Sequence, residues 1–264
     1  MKYFRFLIMI VLLAGLASCR PTDTSNQNLE LTDFPRASNI LSPGLGWIGL
    51  IENGLVHLYY FTREMRWERD NVAAFEIPQE SEGLVGMGLG SIGVLQNGVI
   101  SIYVQDLNGE WERAPHYDFR VPEDIDRFFT IIQEWELSII GLEIDGKLEF
   151  YYYDAETGDW TRDETATFVL PKGIDHYFSL GNMTIVISDK NQLGVYYLNP
   201  DSQWQFAKDH VLDVPRENRG IIPFEPGIFA LLMPEDKTFR LDFYKLDTQA
   251  NKWITDEGMA FRLP

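Results

Sequence analysis

Residues 160–171 read WTRDETATFVLP, and the frame they set, a tryptophan followed eleven residues later by a proline, occurs five times in the chain. The pairs are Trp67 with Pro78, Trp111 with Pro122, Trp160 with Pro171, Trp204 with Pro215 and Trp253 with Pro264, the tryptophans lying 44, 49, 44 and 49 residues apart. A period of this size marks a repeat architecture, so the fold is set by one unit and its stacking on the next. The residues before the prolines repeat as well: Phe75-Glu76-Ile77, Phe119-Arg120-Val121, Phe168-Val169-Leu170 and Phe261-Arg262-Leu263, with Val211 to Val214 as a degenerate copy. An alternating pattern closed by proline is a strand that stops there, because proline has no N–H to give to a ladder.

Upstream of each tryptophan lies a hairpin signal: Asn53-Gly54, Asn97-Gly98, Asp145-Gly146, Asn191-Gln192 and Asp236-Lys237. The first three are favoured type I′ pairs. Strands flank these turns, as at 137–144 and 147–153, and a shorter apolar segment such as 128–132 precedes each hairpin. Four antiparallel strands in roughly 45 residues make one propeller blade. The expected fold is all-β, a five-bladed β-propeller of four-stranded antiparallel blades at about 36–78, 79–122, 123–171, 172–215 and 216–264. In that fold Trp67, Trp111, Trp160, Trp204 and Trp253 are structural. Each indole is expected to fill the widening gap between blades while its N–H reaches a backbone carbonyl. Residues 29–34 also end in Phe-Pro and read as a spare outer strand that latches the ring or leads into it.

The third repeat, Tyr153-Asp154-Ala155-Glu156-Thr157-Gly158-Asp159-Trp160, resembles the YDxxTxxW signature of kelch repeats, and Asp145-Gly146-Lys147-Leu148 resembles quinoprotein-type propeller repeats. The other repeats keep only parts of either pattern, and none has the paired glycines of kelch. The resemblance implies an architecture and brings no activity with it.

The chain begins with cations at Lys2 and Arg5, an apolar run of 11 residues from Phe6 to Leu16, and small residues before Cys19. That is the order of a secretory signal over 1–18, and at about 1.5 Å per helical residue the run is too short for a roughly 30 Å bilayer core. Leu16-Ala17-Ser18-Cys19 resembles a bacterial lipobox, which implies that Cys19 carries a diacylglycerol and becomes the mature N-terminus. Cys19 is the sole cysteine, so no disulfide forms within one chain. Two or three acyl chains hold a protein on a membrane where one is marginal. Polar residues 20–28 read as a tether, and Arg20, in place of the aspartate that retains enteric lipoproteins at the inner membrane, favours the outer membrane. The expected location is the cell envelope, facing the periplasm or the cell surface.

Without Lys2 and Arg5 the mature chain has 20 basic and 40 acidic residues. Nucleic acid and anionic lipid would repel it, whereas a cationic partner or a bound cation would suit it. The carboxylates concentrate in the loops after each blade-ending proline: Glu80 and Glu82, then Glu123, Asp124 and Asp126, then Asp175, then Glu217. Turns with Glu52, Asp145, Glu235 and Asp236 should open on the same face, giving an acidic rim fit for a cation, a basic protein surface or a sugar. Blade three carries about four extra residues between its leading proline and its turn, and Trp135 within them suits a binding surface or a core position alike.

Other chemistry is weak. Gly88-Leu89-Gly90-Ser91-Ile92-Gly93 matches GxGxxG, but a strand and a turn follow where a dinucleotide site needs a helix. His57, His116, His176 and His210 show no zinc spacing, and no cofactor is implied. Five-bladed glycoside hydrolases use carboxylates from different blades, yet 36–51 offers none where that family supplies its base. The expectation is therefore a lipid-anchored propeller that binds an envelope protein without catalysis. A carbohydrate-binding propeller and, behind it, a hydrolase using the acidic rim are the alternatives.

Overall fold

A sheet covered on both faces needs strands that are apolar on both sides near the axis and alternate farther out. The second blade shows that gradient: Ser91–Gln96 is buried along five successive residues, whereas Val99–Gln105, one strand farther out, alternates. The computed structural model describes residues 39–264 apart from 45, 107, 134–136, 237, 248–249 and 251. Cys19, the tether, the 29–34 segment and Trp135 lie outside the described residues.

Blade 1 holds β1 (Ile40–Leu41), β2 (Trp47–Glu52), β3 (Leu55–Phe61), β4 (Trp67–Arg69) and β5 (Phe75–Glu76). Blade 2 holds β6 (Gly83–Gly88), β7 (Ser91–Gln96), β8 (Val99–Gln105), β9 (Trp111–Arg113) and β10 (Phe119–Arg120). Blade 3 is β11 (Arg127–Ile131), β12 (Ile139–Ile144), β13 (Lys147–Asp154) and β14 (Asp159–Val169). Blade 4 is β15 (His176–Ser179), β16 (Thr184–Asp189), β17 (Gln192–Leu198) and β18 (Trp204–Asp213). Blade 5 is β19 (Ile221–Glu225), β20 (Ile228–Glu235), β21 (Thr238–Asp247) and β22 (Lys252–Arg262). Within each blade neighbours pair antiparallel in chain order. In blades 1 and 2 the fourth strand comes as two short pieces on the third, while β14, β18 and β22 run through with one register shift. The fold is thus the five-bladed β-propeller that the tryptophan period predicts.

Turn chemistry is as expected in three hairpins. Asn53-Gly54, Asn97-Gly98 and Asp145-Gly146 all have positive φ, from +50° to +79°, as a type I′ turn requires. Blade 4 corrects the sequence reading: β16 and β17 pair Asp189 with Gln192, so the turn is Lys190-Asn191, one residue before the expected Asn191-Gln192. Burial explains the choice. This register turns Leu193 and Val195 into the core, and a slip by one residue would turn them out. Lys190 accepts a φ of +58° to keep it.

The core is divided into five apolar clusters, one in each seam between blades. Blades 5 and 1 share Ile48, Leu50, Phe224 and Phe243, and blades 1 and 2 share Leu58, Phe75, Ile92 and Val94. The other three seams are built alike. Each seam also carries one indole hydrogen bond. Trp111 Nε1 donates to Ala73 O at 3.1 Å, Trp160 to Tyr117 O at 2.9 Å, Trp204 to Ala166 O at 2.8 Å and Trp253 to His210 O at 2.9 Å. Trp67 Nε1 closes the circle on Met259 O at 2.7 Å. The acceptor is always the sixth residue after the preceding blade's own tryptophan. The expected role of the five tryptophans is met, and none of them is fully exposed.

Near the axis, the turns between first and second strands join neighbouring blades. Gly90 N–H donates to Pro43 O at 3.1 Å, Ser138 N–H to Met87 O at 2.9 Å and Gly227 N–H to Leu180 O at 2.7 Å. Between blades 5 and 1, Ser42 Oγ donates to Phe224 O at 2.7 Å and Gly46 N–H to the Glu225 carboxylate. Gly86 shows how close the approach is: a Cβ there would lie 1.6 Å from Ser42 O.

Candidate functional site

The strand order places the loops between blades and the hairpin turns between second and third strands at one end of the ring, here called the entry end. Hydrogen bonds tie the inter-blade loops to the second strands of the blades that follow. Asp126 N–H donates to Glu143 O at 2.8 Å, Asp175 N–H to Ser188 O at 2.9 Å and Arg219 N–H to Leu232 O at 2.7 Å. The blade-ending prolines open tight turns, with Ser81 N–H on Pro78 O and Asn218 N–H on Pro215 O. Glu80, Glu123, Asp124, Asp126, Asp145, Asp175 and Glu217 are exposed at this end, and Glu82 is half-buried.

Three of these carboxylates have a repeated structural partner. Asp126 Oδ2 accepts the N–H of Asp145 at 3.1 Å, Asp175 Oδ2 that of Lys190 at 2.6 Å, and Glu82 Oε1 that of Asn97 at 3.3 Å. In each case the donor is the left-handed first residue of the same blade's hairpin turn, with φ of +50°, +58° and +52°. An anionic acceptor on such an N–H pins a backbone that would otherwise be costly for a residue with a side chain. These acids therefore hold the rim's shape, and the charge free to meet a ligand is chiefly that of Glu80, Glu123, Asp124, Asp145 and Glu217.

The rim is not uniformly acidic. The loops from blade 1 to 2 and from blade 2 to 3, residues 79–82 and 123–126, carry Glu80, Glu82, Glu123, Asp124 and Asp126 and no cation. The loops from blade 3 to 4 and from blade 4 to 5 carry Lys172, Arg216 and Arg219 beside Asp175 and Glu217. On blade 5, Arg240 bridges Glu235 at 2.9 Å and Asp242 at 2.5 Å, and Arg262 pairs with Glu235 at 2.8 Å. The Arg262 hydrogen bond leads in holding the Glu235 carboxyl below its ordinary range. Arg120, Arg127 and Lys147 also lie at this end on blades 2 and 3, but carboxylates outnumber them there, so these blades present the net negative sector and blades 4 and 5 a more evenly mixed one.

A polar cluster unmarked in the sequence lies where blades 3 and 4 meet at this end. The buried Tyr177 hydroxyl donates to Glu143 Oε2 at 2.7 Å, and the Arg127 guanidinium sits 5.0 Å from the centre of the Tyr177 ring. Burial first, and then the bond to Glu143, push the phenol well above its usual range, so it stays a neutral donor. Its signal was the phase of Tyr177 and Arg127 on two successive inner strands, which only blade pairing brings together. The connection that holds blade three's extra residues runs from β11 to β12 and starts and finishes at the opposite end of the ring. Among the described residues no group of three or more His, Cys, Asp or Glu side chains is placed to hold a metal ion. The GxGxxG stretch is the turn between β6 and β7, with strands on both sides.

Fold and rim together define the class, a single-ring β-propeller with compact turns and a charge-divided loop end. No protein-family model matches the chain, and no curated protein matches it in sequence. Its shape is similar to that of a protein from Lactobacillus plantarum, with 11% identity, a TM-score of 0.42, and 80% of this chain matched to 66% of that one. Hsv2p of Kluyveromyces lactis matches with 11% identity and a TM-score of 0.40 over 84% of this chain and 62% of its own. A provisionally assigned 6-phosphogluconolactonase of Bacteroides uniformis matches with 10% identity and a TM-score of 0.41 over 85% and 70%. The chain spans about two thirds of the length of these structures, and likenesses this distant give it no activity.

Proposed function

We propose that this protein is a lipid-anchored β-propeller that works by binding a protein partner at the cell envelope, without catalysis. The observation that carries the reading is the division of the entry end into a net negative sector on blades 2 and 3 and a mixed sector on blades 4 and 5. Such patterning orients a protein partner and speeds its encounter. Of the rim carboxylates that a hydrolase could use as acid and base, three hold hairpin turns. The Leu16–Cys19 stretch supports the anchor, and residues 20–28 supply the tether between membrane and ring.

The test is in-cell crosslinking of the lipidated protein followed by mass spectrometry, with Cys19→Ala as the unanchored control. Enrichment of one envelope protein only when Cys19 is intact is the expected result. Capture of nothing, or of the same set with and without Cys19, sinks the anchored-binder reading and leaves glycan binding as the next to try.

A further inference from the structure

All five seams share the indole hydrogen bond, but the side chain that covers it differs: Ala73, Tyr117, Ala166, His210 and Met259 occupy the acceptor position in turn. Between blades 2 and 3 the Tyr117 ring packs edge-on against Tyr153 at 4.6 Å and fills the outer wall. The same two positions between blades 1 and 2 are Ala73 and Gln105, because Gln105 pairs with Trp111 as Tyr153 pairs with Trp160. Between blades 3 and 4 the acceptor is again an alanine, but Leu198 holds the place of Tyr153 and packs with Trp204 in the seam, and Phe206 packs on Tyr196 at 5.0 Å. At the phase of Phe206, blade 2 has Arg113, which is drawn off to Asp118.

A groove of about 360 Å³ is left between blades 1 and 2, at the small end of the roughly 300–1,000 Å³ typical of ligand pockets. Tyr103 and Trp111 line it over the buried Phe75, with Val72, Glu76 and Glu110 beside them, and no cationic side chain does. Both walls are fixed by aspartates. Asp70 Oδ1 accepts the N–H groups of Val72 and Ala73 at 2.9 and 3.1 Å, and Asp106 Oδ1 those of Asn108 and Glu110, both at 2.8 Å. The cleft is therefore shaped before anything enters it.

Aromatic faces beside two carboxylates favour a planar cation, which stacks on rings and pairs with carboxylate oxygens at once. We propose that this groove receives an arginine side chain of the partner protein. The inference rests on the partner-binding reading and places one contact on the outer side of the ring. Arginine suits it better than lysine because guanidinium is flat and carries its donors in a fork. The volume suits one side chain and not an extended substrate.

The probe is N-acetyl-arginine amide, observed by saturation-transfer NMR on the full lipidated protein in detergent. Binding is expected with a Kd on the order of millimolar, falling at least about fivefold in Glu76→Gln/Glu110→Gln and at high salt. Ala74→Trp, at an exposed groove position, should block the probe while near-UV circular dichroism shows the fold intact. No arginine signal, a signal unchanged in both variants, or a signal from methyl glucoside alone overturns the proposal. A partner captured in cells without arginine binding sinks the groove and spares the binding reading. Arginine binding with no captured partner does the reverse.

Discussion

The seam between blades 1 and 2 and the seam between blades 2 and 3 are built on the same indole-to-carbonyl hydrogen bond and finish differently. In one, Trp160 meets Phe119 at 5.5 Å and Tyr153 at 5.7 Å under a wall closed by Tyr117. In the other, Trp111 meets Phe75 at 5.1 Å over a fully buried Ala73, and a shallow groove lies outside them between Ala74, Glu76 and Glu110. The difference separates two jobs that one residue position can do. The backbone carbonyl serves the ring in all five seams, whereas the side chain differs: a fully buried alanine at Ala73 and Ala166, and a larger side chain at Tyr117, His210 and Met259.

The largest effect should come from cutting the shared bond. Trp160→Ala is expected to cost about 3–5 kcal/mol, since it removes a large aromatic side chain from a packed seam. Trp111→Ala should cost less, because its site already adjoins an open groove that water can enter. Urea unfolding of the two variants checks the order, and equal losses would mean that the open wall makes no energetic difference. Next in size is Tyr117→Ala, which should open the second seam at about 1–2 kcal/mol by deleting an aromatic pair. Ala74→Trp, filling the first groove from an exposed position, should change stability by no more than about 0.5 kcal/mol.

What the sequence reveals follows the same division. The tryptophan period is legible because every seam needs an indole at one phase and a carbonyl six residues after the previous one, so spacing cannot drift. The turn in blade 4 is misread because Asn191-Gln192 looks like turn chemistry while core burial of Leu193 and Val195 decides the register. The acidic rim is half legible: the carboxylates are visible in sequence, but the shape-holding bonds of Glu82, Asp126 and Asp175 are not. The groove is hidden altogether, because Ala74 and Glu76 from blade 1 and Tyr103, Glu110 and Trp111 from blade 2 meet only in the folded ring.

The rim can be divided by the same logic at smaller scale. Asp126→Ala and Asp175→Ala should each lose about 0.5–1.5 kcal/mol by releasing a turn N–H. Glu123→Ala and Glu80→Ala, which hold no such turn, should stay within about 0.5 kcal/mol. In the binding assay the order should invert, with Glu80 and Glu123 variants weakening capture of the partner and leaving thermal unfolding unchanged.

The effects of pH should have opposite signs at two seams. Asp106, in the turn beside the groove, is held below the ordinary carboxylate range first by the N–H of Glu110 and then by the neighbouring side-chain and backbone donors. A depressed folded value means that its contribution is present above the unfolded pKa, near pH 4, and is lost as pH falls through the folded one. Glu225, where blades 5 and 1 meet, is pushed up by burial against the opposing bond from Gly46 N–H. A raised value means the reverse: its contribution is complete below the unfolded pKa and is lost as pH rises through the folded one. Asp106→Asn should therefore flatten only the acid limb of a stability–pH curve. Glu225→Gln keeps an acceptor for Gly46 and removes the buried charge, so it should gain up to about 1 kcal/mol at pH 7 and nothing at pH 3. Urea midpoints from pH 3 to 8 separate the two. A Glu225→Gln variant that loses stability at neutral pH would show that the ionised carboxylate on Gly46 is what holds the ring closed.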